Sequence, residues 1–598
     1  MSDPESNRNL DNNEDPIPAG IVEELPKLSF GPHFEMHPVV FPAGALIVLG
    51  LVLLAMLMPG EDLRSNFETV RDWVGTRFGW LYVASMTGFL LLAVRLAFSR
   101  YGSIKLGNDD DVPEFSRLTW FTMLFSAGMG IGLVFWSVAE PIYHFQSTPP
   151  GFATGLDPSR LSMAVTIFHW GLHPWALYAV VGLALGYFGF RKGMPLGFRS
   201  VLYPIFGRRV WGPLGDAVDT LAIVATLTGV ATSLGLGAKQ VNAGFAFLFD
   251  TPVNVTVQVI LIACITGIAT VSVVLGLGKG IRRLSELNMA LAGILMLMVI
   301  FASGVVVFLG SSIENTGAYL QQLPFNSFRT GALSEEGSAW LNSWTVFYWA
   351  WWISWSPFVG MFIARVSRGR TIREFIIGTL LVPTAVGILW LTAFGSTTLR
   401  QHSDHASQPA AITQTGDTTA ASMAESGEGL PSYTVAVTDD SGELIESEPG
   451  VYETTQEHLT AVEYLSAPIV NEQGTERIPQ LPTVLYALLA GIFDSRLMVI
   501  LSAGIATTCI ILFFVTSSDS ASMVIDIIAS GGNPDPPVGT RLFWAISEGL
   551  VAAILLMVGG LEALQAASIT VALPFTIILI LSCIGLMRSL RMERPKKR

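Results

Sequence analysis

Of 598 residues, 51% are hydrophobic and 14% charged, and the apolar residues fall in blocks of membrane length rather than at amphipathic spacing. That composition excludes an ordinary soluble domain and defines an all-α polytopic membrane protein. The net charge of -13 leaves no nucleic-acid footprint. Three cysteines, Cys264, Cys509 and Cys583, all lie inside apolar blocks, which argues against a disulfide framework or a cysteine-based metal site.

Residues 1–38 form an acidic tail with no basic n-region and no small-residue cleavage site, so the first apolar block is a helix and not a signal peptide. The apolar blocks predict twelve transmembrane helices, near 39–59, 78–98, 118–138, 163–189, 217–236, 254–276, 288–309, 344–364, 374–396, 497–525, 541–559 and 566–587. With both termini in the cytoplasm of a plasma-membrane protein, the inner loops collect most of the basic residues, among them Arg100, Arg191, Arg208, Arg282, Arg368 and Arg541, as the positive-inside rule requires.

The third span, WFTMLFSAGMGIGLVFWSVAEP, carries Gly128, Gly130 and Gly132. Each interior glycine costs a helix roughly 1 kcal/mol relative to alanine. Three at alternating positions predict either an unwound segment lining a cavity, whose freed amides and carbonyls become ligands, or close packing through small residues. In the fourth span, HWGLHPWALY places Trp170, Trp175 and Tyr178 on one side of a continuous helix. His169 and His173 are one turn apart and read as hydrogen-bonded core histidines rather than metal ligands.

The eighth span, WTVFYWAWWISWSPFVGMFIARVSRGRTIRE, crowds five tryptophans (Trp344, Trp349, Trp351, Trp352, Trp355) into its membrane-embedded part. Lipid-facing tryptophans sit at the two interfaces. A mid-span cluster predicts instead a cage of π faces for a quaternary ammonium ion. After the ninth span, residues 401–478 hold fourteen Asp or Glu and one Arg or Lys, Arg477, in Ser-, Thr- and Gly-rich sequence. This segment is expected outside the cell, as a solvated loop or a small β-hairpin module. Together with the net charge it fits a protein exposed to high salt. The tenth span contains FFVTSSDSAS, whose hydroxyls, joined by unwound carbonyls, form the hard-oxygen environment expected of a sodium site. Asp519 within it is either a participant in transport or a hydrogen-bond hub. Residues 588–598 close the chain as a short basic tail, a positive-inside anchor or a contact for anionic lipid.

GMGIGLVFW, HWGLHPWALY, the span-eight string and FFVTSSDSAS together resemble the betaine/carnitine/choline transporter family over essentially all twelve spans, the acidic loop being the main departure. The resemblance implies a leucine-transporter-type core of two inverted five-helix repeats, residues 118–343 and 344–587, with residues 39–117 forming two peripheral helices, and a homotrimer. It implies secondary active uptake of a betaine-type zwitterion for osmoprotection, and no enzyme. No cofactor is implied beyond a co-transported sodium ion. Carried over residue by residue, the aromatic box falls on Trp170, Trp175, Tyr178 and Trp352, with Trp351, Trp355 and Phe358 along the adjoining path and Gly128, Gly130 and Gly132 beside it. One sodium site falls on Ser126, Met129, Phe513, Thr516 and Ser517. A second falls on Thr226, but its other threonine is Val230 here, so either Thr228, Thr232 or Ser233 substitutes or the stoichiometry differs. Gly132 stands where proton-coupled choline carriers of the family tend to have aspartate, and residues 213–238 lack the arginine of carnitine exchangers. Both departures favour sodium-driven uptake. A channel or a membrane receptor would share the aromatic lining, and saturable solute uptake separates them from a carrier.

Overall fold

The computed structural model describes residues 25–57, 60–128, 130–147, 149–150, 157–274, 280–406 and 481–593, with short strands between 433 and 477. A hairpin of β1 (Leu28–Ser29) and β2 (Glu35–Met36) leads into α1 (Val40–Leu57). His37 anchors that entry: its backbone N–H donates to Ala529 O at 2.8 Å, and its ring nitrogen accepts from the amides of Val39 and Val40. α2 (Gly60–Phe98) follows.

The third predicted span is two helices, α3 (Arg117–Gly128) and α4 (Ile131–Gln146), with an extended Gly130 before the second. The glycine run therefore breaks the helix as its composition predicts. The fourth span is also broken, contrary to the continuous helix expected from its periodicity. α5 (Pro158–Trp170) ends at Gly171, whose φ of -93° and ψ of -134° are not helical, and α6 (Leu172–Gly186) restarts beyond it. Pro174 sits in the first turn of α6, where its missing N–H has no helical partner to lose. Two short helices, α7 (Phe198–Val201) and α8 (Tyr203–Phe206), precede α9 (Pro213–Phe249). Next come α10 (Val255–Val274), α11 (Gly280–Ser303), α12 (Val305–Phe328) and α13 (Glu335–Leu341).

α14 (Phe347–Arg365) carries the tryptophans without a break. Its following loop is pinned to the chain before α3: Leu106 N donates to Arg370 O, Gly369 N to Leu106 O, and Ile372 N to Ile104 O. Arg370 lies 4.0 Å above the Trp120 ring and bonds Glu374. α15 (Ile372–Leu391) and α16 (Thr397–Ala406) lead to the acidic segment. There the described residues form β3 (Tyr433–Ala436), β4 (Glu446–Glu448), β5 (Val451–Tyr452), β6 (Thr454–Glu457), β7 (Ile469–Val470) and β8 (Glu476–Arg477). They pair as a four-stranded sheet, β6-β3-β7-β8, plus a β4-β5 hairpin, so the segment is a small β module rather than a bare loop. Leu444 and the β-branched Ile445, a patch suited to such a hairpin, lie outside the described residues.

α17 (Val484–Ile492), α18 (Arg496–Ala529) and α19 (Val538–Met592) complete the chain. α19 kinks at Gly559 and Gly560, where Gly560 takes φ +58°, a left-handed conformation that glycine adopts without penalty. α18 runs unbroken through the FFVTSSDSAS segment. Thr516 Oγ1 donates back to Leu512 O at 2.8 Å and Ser522 Oγ to Asp519 O at 3.0 Å, while Ser518 Oγ donates across to Glu548 Oε2 on α19 at 2.9 Å, so the polar run does not interrupt the helix.

Among the described residues nine helices are long and apolar enough to cross a membrane. They match nine of the twelve predicted spans. The other three are α1, with a shorter apolar stretch (Val40–Leu54), the broken α3–α4 pair, and α14, whose Trp, Tyr and Ser content lowers its hydropathy. α9 is central: 94% of its apolar window is buried, against 28% for α11, which presents the rest of its apolar surface outward. α9 packs against α4, α14, α18 and α19, so anything held between these helices is shielded from lipid.

Candidate functional site

Where α14 crosses α5, α6 and α9, the predicted aromatics meet. The Trp351 and Trp352 rings stack at 4.9 Å and 10°. Trp170 meets Trp352 edge to face at 4.9 Å, Tyr178 lies 6.4 Å from Trp352, and Trp175 lies 5.7 Å from Tyr178. Trp355 continues the run 6.5 Å from Trp352, and Phe358 lies 5.6 Å beyond it. All seven are buried. Although Gly171 interrupts the helix between Trp170 and Tyr178, both still converge on Trp352. The rings touch, so admitting a trimethylammonium group between Trp170 and Trp352 requires one indole to swing aside.

Four indoles of this cluster, Trp170, Trp351, Trp352 and Trp355, have their N–H groups bonded away from the ring faces. Trp352 Nε1 donates to His169 O at 2.9 Å, a carbonyl freed because α5 stops one residue later. Trp351 and Trp355 donate to the same acceptor, Gly229 O on α9, at 3.3 and 2.7 Å. Glycine is needed there for close approach, since a Cβ at 229 would stand 2.7 Å from Trp355 Cδ1. Gly132 serves likewise: a Cβ would lie 2.5 Å from Trp351 and 3.1 Å from Trp170.

Trp170 Nε1 donates to Glu140 Oε2 at 2.9 Å, and Tyr348 OH donates to the same oxygen. The other oxygen, Oε1, lies 2.6 Å from His169 Nδ1 and 3.3 Å from His144 Nε2. This fully buried carboxylate, one residue deep behind the cage, was not among the predicted site residues. Sequence signalled it all the same: the rule that singled out Asp519, an ionisable residue within the membrane, applies to Glu140 once the third span is extended past residue 138. His173 instead contacts Ser327 Oγ at 3.2 Å and stacks on Trp349, so the two histidines of HWGLHPW share no ligand position.

Of the predicted sodium ligands, Phe513, Thr516 and Ser517 lie together on α18. The α3–α4 break faces them, since a Cβ on Gly130 would be 3.8 Å from Ser517 Oγ and 3.9 Å from Trp355. Met129 lies outside the described residues, as does the Ser126 side chain. Thr226 is buried on α9 and donates to Ala222 O, while Val230 presents no oxygen. Thr228 bonds its own helix, and Thr232 Oγ1 reaches Leu564 O and Ser568 Oγ on α19. Asp519 accepts one side-chain hydrogen bond, from Ser272 Oγ on α10 at 2.8 Å, and its other oxygen is buried without a hydrogen-bond partner among the described residues.

The profile of the BCCT, or betaine/carnitine/choline, family of transporters matches residues 38–438 and 475–595. The chain belongs to that family. Relatives agree over nearly its whole length. A glycine betaine transporter of Acinetobacter baylyi is 39% identical over 94% of this chain and 74% of its own. A glycine betaine/proline/choline transporter of Vibrio parahaemolyticus is 38% identical over 95% and 93%, and a glycine betaine transporter of Bacillus subtilis 39% over 92% and 93%. The chain is thus a multi-pass membrane transporter and not an enzyme. The family match skips residues 439–474, which fall inside the acidic β module.

Proposed function

We propose that this transporter imports a quaternary ammonium compatible solute, glycine betaine first among them, on a sodium gradient. The observation that carries the reading is the convergence of Trp170, Trp351, Trp352 and Trp355, whose N–H groups are bonded to a carboxylate or to backbone carbonyls, so that a cation would meet their π faces. Each desolvated cation–π contact contributes about 2 kcal/mol, so three or four supply roughly 6 to 8. Micromolar affinity needs about 8 kcal/mol net of the cost of immobilising the ligand. The solute carboxylate must therefore contribute. The N-terminus of α4 suits it, because the amides of Ile131 and Gly132 begin a helix beside Trp351 and Trp170.

Sodium enters this reading through Gly130, the hinge between α3 and α4, which faces both Ser517 and Trp355. An ion held there stabilises the same backbone that receives the solute, and the two affinities rise reciprocally. The twelve-helix, inverted-repeat organisation, the homotrimer, the cytoplasmic termini and the division into peripheral helices, two repeats and acidic module belong to the same proposal. Sodium-jump uptake into proteoliposomes with glycine betaine, proline, choline, ectoine and carnitine tests it. Saturable, sodium-dependent betaine uptake is expected. Equal uptake without sodium, or preference for a solute lacking the ammonium group, refutes the respective half.

A further inference from the structure

The cluster behind the cage has a composition of its own. Glu140 and His144 are one turn apart on α4, His169 faces them from α5, and their three ligand atoms all lie within 4.8 Å of one another. Zinc bonds of about 2.0–2.1 Å in tetrahedral geometry set neighbouring ligand atoms about 3.3 Å apart. The 3.3 Å between Glu140 Oε1 and His144 Nε2 already has that spacing, and His169 Nδ1, at 2.6 Å, needs to yield by less than about 1 Å. Two imidazoles and one carboxylate are the donor set of zinc sites that keep a fourth position for water.

The supporting contacts are those a metal ligand needs. His169 Nε2 lies 3.0 Å from Thr345 Oγ1, which fixes the ring with Nδ1 toward the carboxylate. Glu140 Oε2 is held separately by Trp170 and Tyr348, leaving Oε1 for an ion. His144 Nδ1 is buried without a hydrogen-bond partner among the described residues, so its Nε2 is the engaged nitrogen. Trp340 and Trp344, both half-buried, pack on His144 at 5.5 and 4.5 Å. Arg329 stacks on Trp340 at 4.5 Å, a positive charge at the border that lowers affinity relative to a structural zinc site.

We propose that Glu140, His144 and His169 form a transition-metal site of the zinc class, and that its occupation opposes cation binding in the cage. A dication at Oε1 stands across one carboxylate from the Trp170 indole, and two positive centres in low dielectric repel. This second half rests on the cage reading, whereas the metal site does not.

The test titrates the purified full-length protein with Co²⁺ in the absence of solute. One Co²⁺ per chain is expected, with visible absorption of tetrahedral type, displaced by Zn²⁺. His144→Ala is expected to weaken binding at least tenfold, and His144→Asp, which keeps a ligand, to restore part of it. No Co²⁺ binding by the unmodified protein, or equal affinity in His144→Ala, overturns the site. Co²⁺ should raise the equilibrium dissociation constant of labelled betaine, and betaine should raise the Co²⁺ dissociation constant by an equal factor. Metal binding that solute leaves unchanged overturns the antagonism alone.

Discussion

Trp352 is the ring on which the cage converges, and replacing it separates π-face chemistry from mere bulk. Trp352→Leu removes the ring's contacts with Trp170 and Trp351 together with the hydrogen bond to His169 O. Trp352→Phe removes that hydrogen bond too, worth about 1 kcal/mol, but keeps an aromatic face. The difference between the two variants therefore isolates the π face. A desolvated cation–π contact of about 2 kcal/mol predicts a roughly 30-fold weaker betaine affinity for the leucine variant than for the phenylalanine one. Equilibrium binding of labelled betaine to purified protein reads this directly, with size-exclusion profiles confirming that both variants are folded. The neutral tert-butyl analogue of betaine supplies the control, since its affinity should be nearly the same in both variants. Equal betaine affinities for leucine and phenylalanine would show that Trp352 contributes volume rather than electrostatics, and the cage reading would fall.

Gly132→Ala places a Cβ against Trp351 and Trp170, and displacing two packed indoles costs about 1–3 kcal/mol, so betaine uptake should lose affinity about 5- to 150-fold while expression holds. An unchanged half-saturation constant would contradict the observed approach. Replacing Thr516 and Ser517 together by alanine should raise the sodium concentration for half-maximal uptake, and unaltered sodium dependence would remove them from the ion site. With Val230 in place of an oxygen ligand, the unmodified protein should show a sodium Hill coefficient near one. A value clearly above one would point to Thr228 or Ser233 as a substitute. Gly369 takes φ +81° with Val112 O 2.6 Å from any added Cβ, so Gly369→Ala should destabilise the loop after α14 by roughly 2–4 kcal/mol. A lowered thermal unfolding midpoint checks this, and an unchanged one would mean that the loop relaxes freely.

What sequence reveals about this molecule is what neighbouring residues decide. The α3–α4 break follows from three glycines in five positions, and the aromatic wall of α14 follows from five tryptophans in one span. Gly171 escaped notice because apolar residues run straight through HWGLHPW, and only Pro174 marks the restart. The Ser/Thr run of α18 shows its hydroxyls in the sequence but not their partners: Thr516 and Ser522 bond back into their own helix, whereas Ser518 reaches Glu548, 30 residues away. The anchors of the cage were invisible for a different reason. Nothing local to Trp355 indicates that its N–H will meet Gly229 O, 126 residues away, or that Tyr348 will reach Glu140, 208 residues away.

Glu140 alters how the cage is to be understood. An aromatic pocket for an uncharged solute gains nothing from a carboxylate buried behind it, because removing that charge from water costs several kcal/mol unless donors surround it. Here donors do surround it: one indole, one phenol and two imidazoles. The Trp170 indole, drawn by its N–H toward a negative charge, turns its ring toward Trp352 and is polarised in the sense that strengthens a cation at its face. On the proposed reading, negative charge is thus kept near the cation without touching it, and the solute carboxylate meets no competing anion among the indoles. A zwitterion needs that separation. An aspartate at position 132 would lie inside the ring of indoles, where it would repel the solute carboxylate, whereas Glu140 acts from behind Trp170 and leaves the α4 amides free for it.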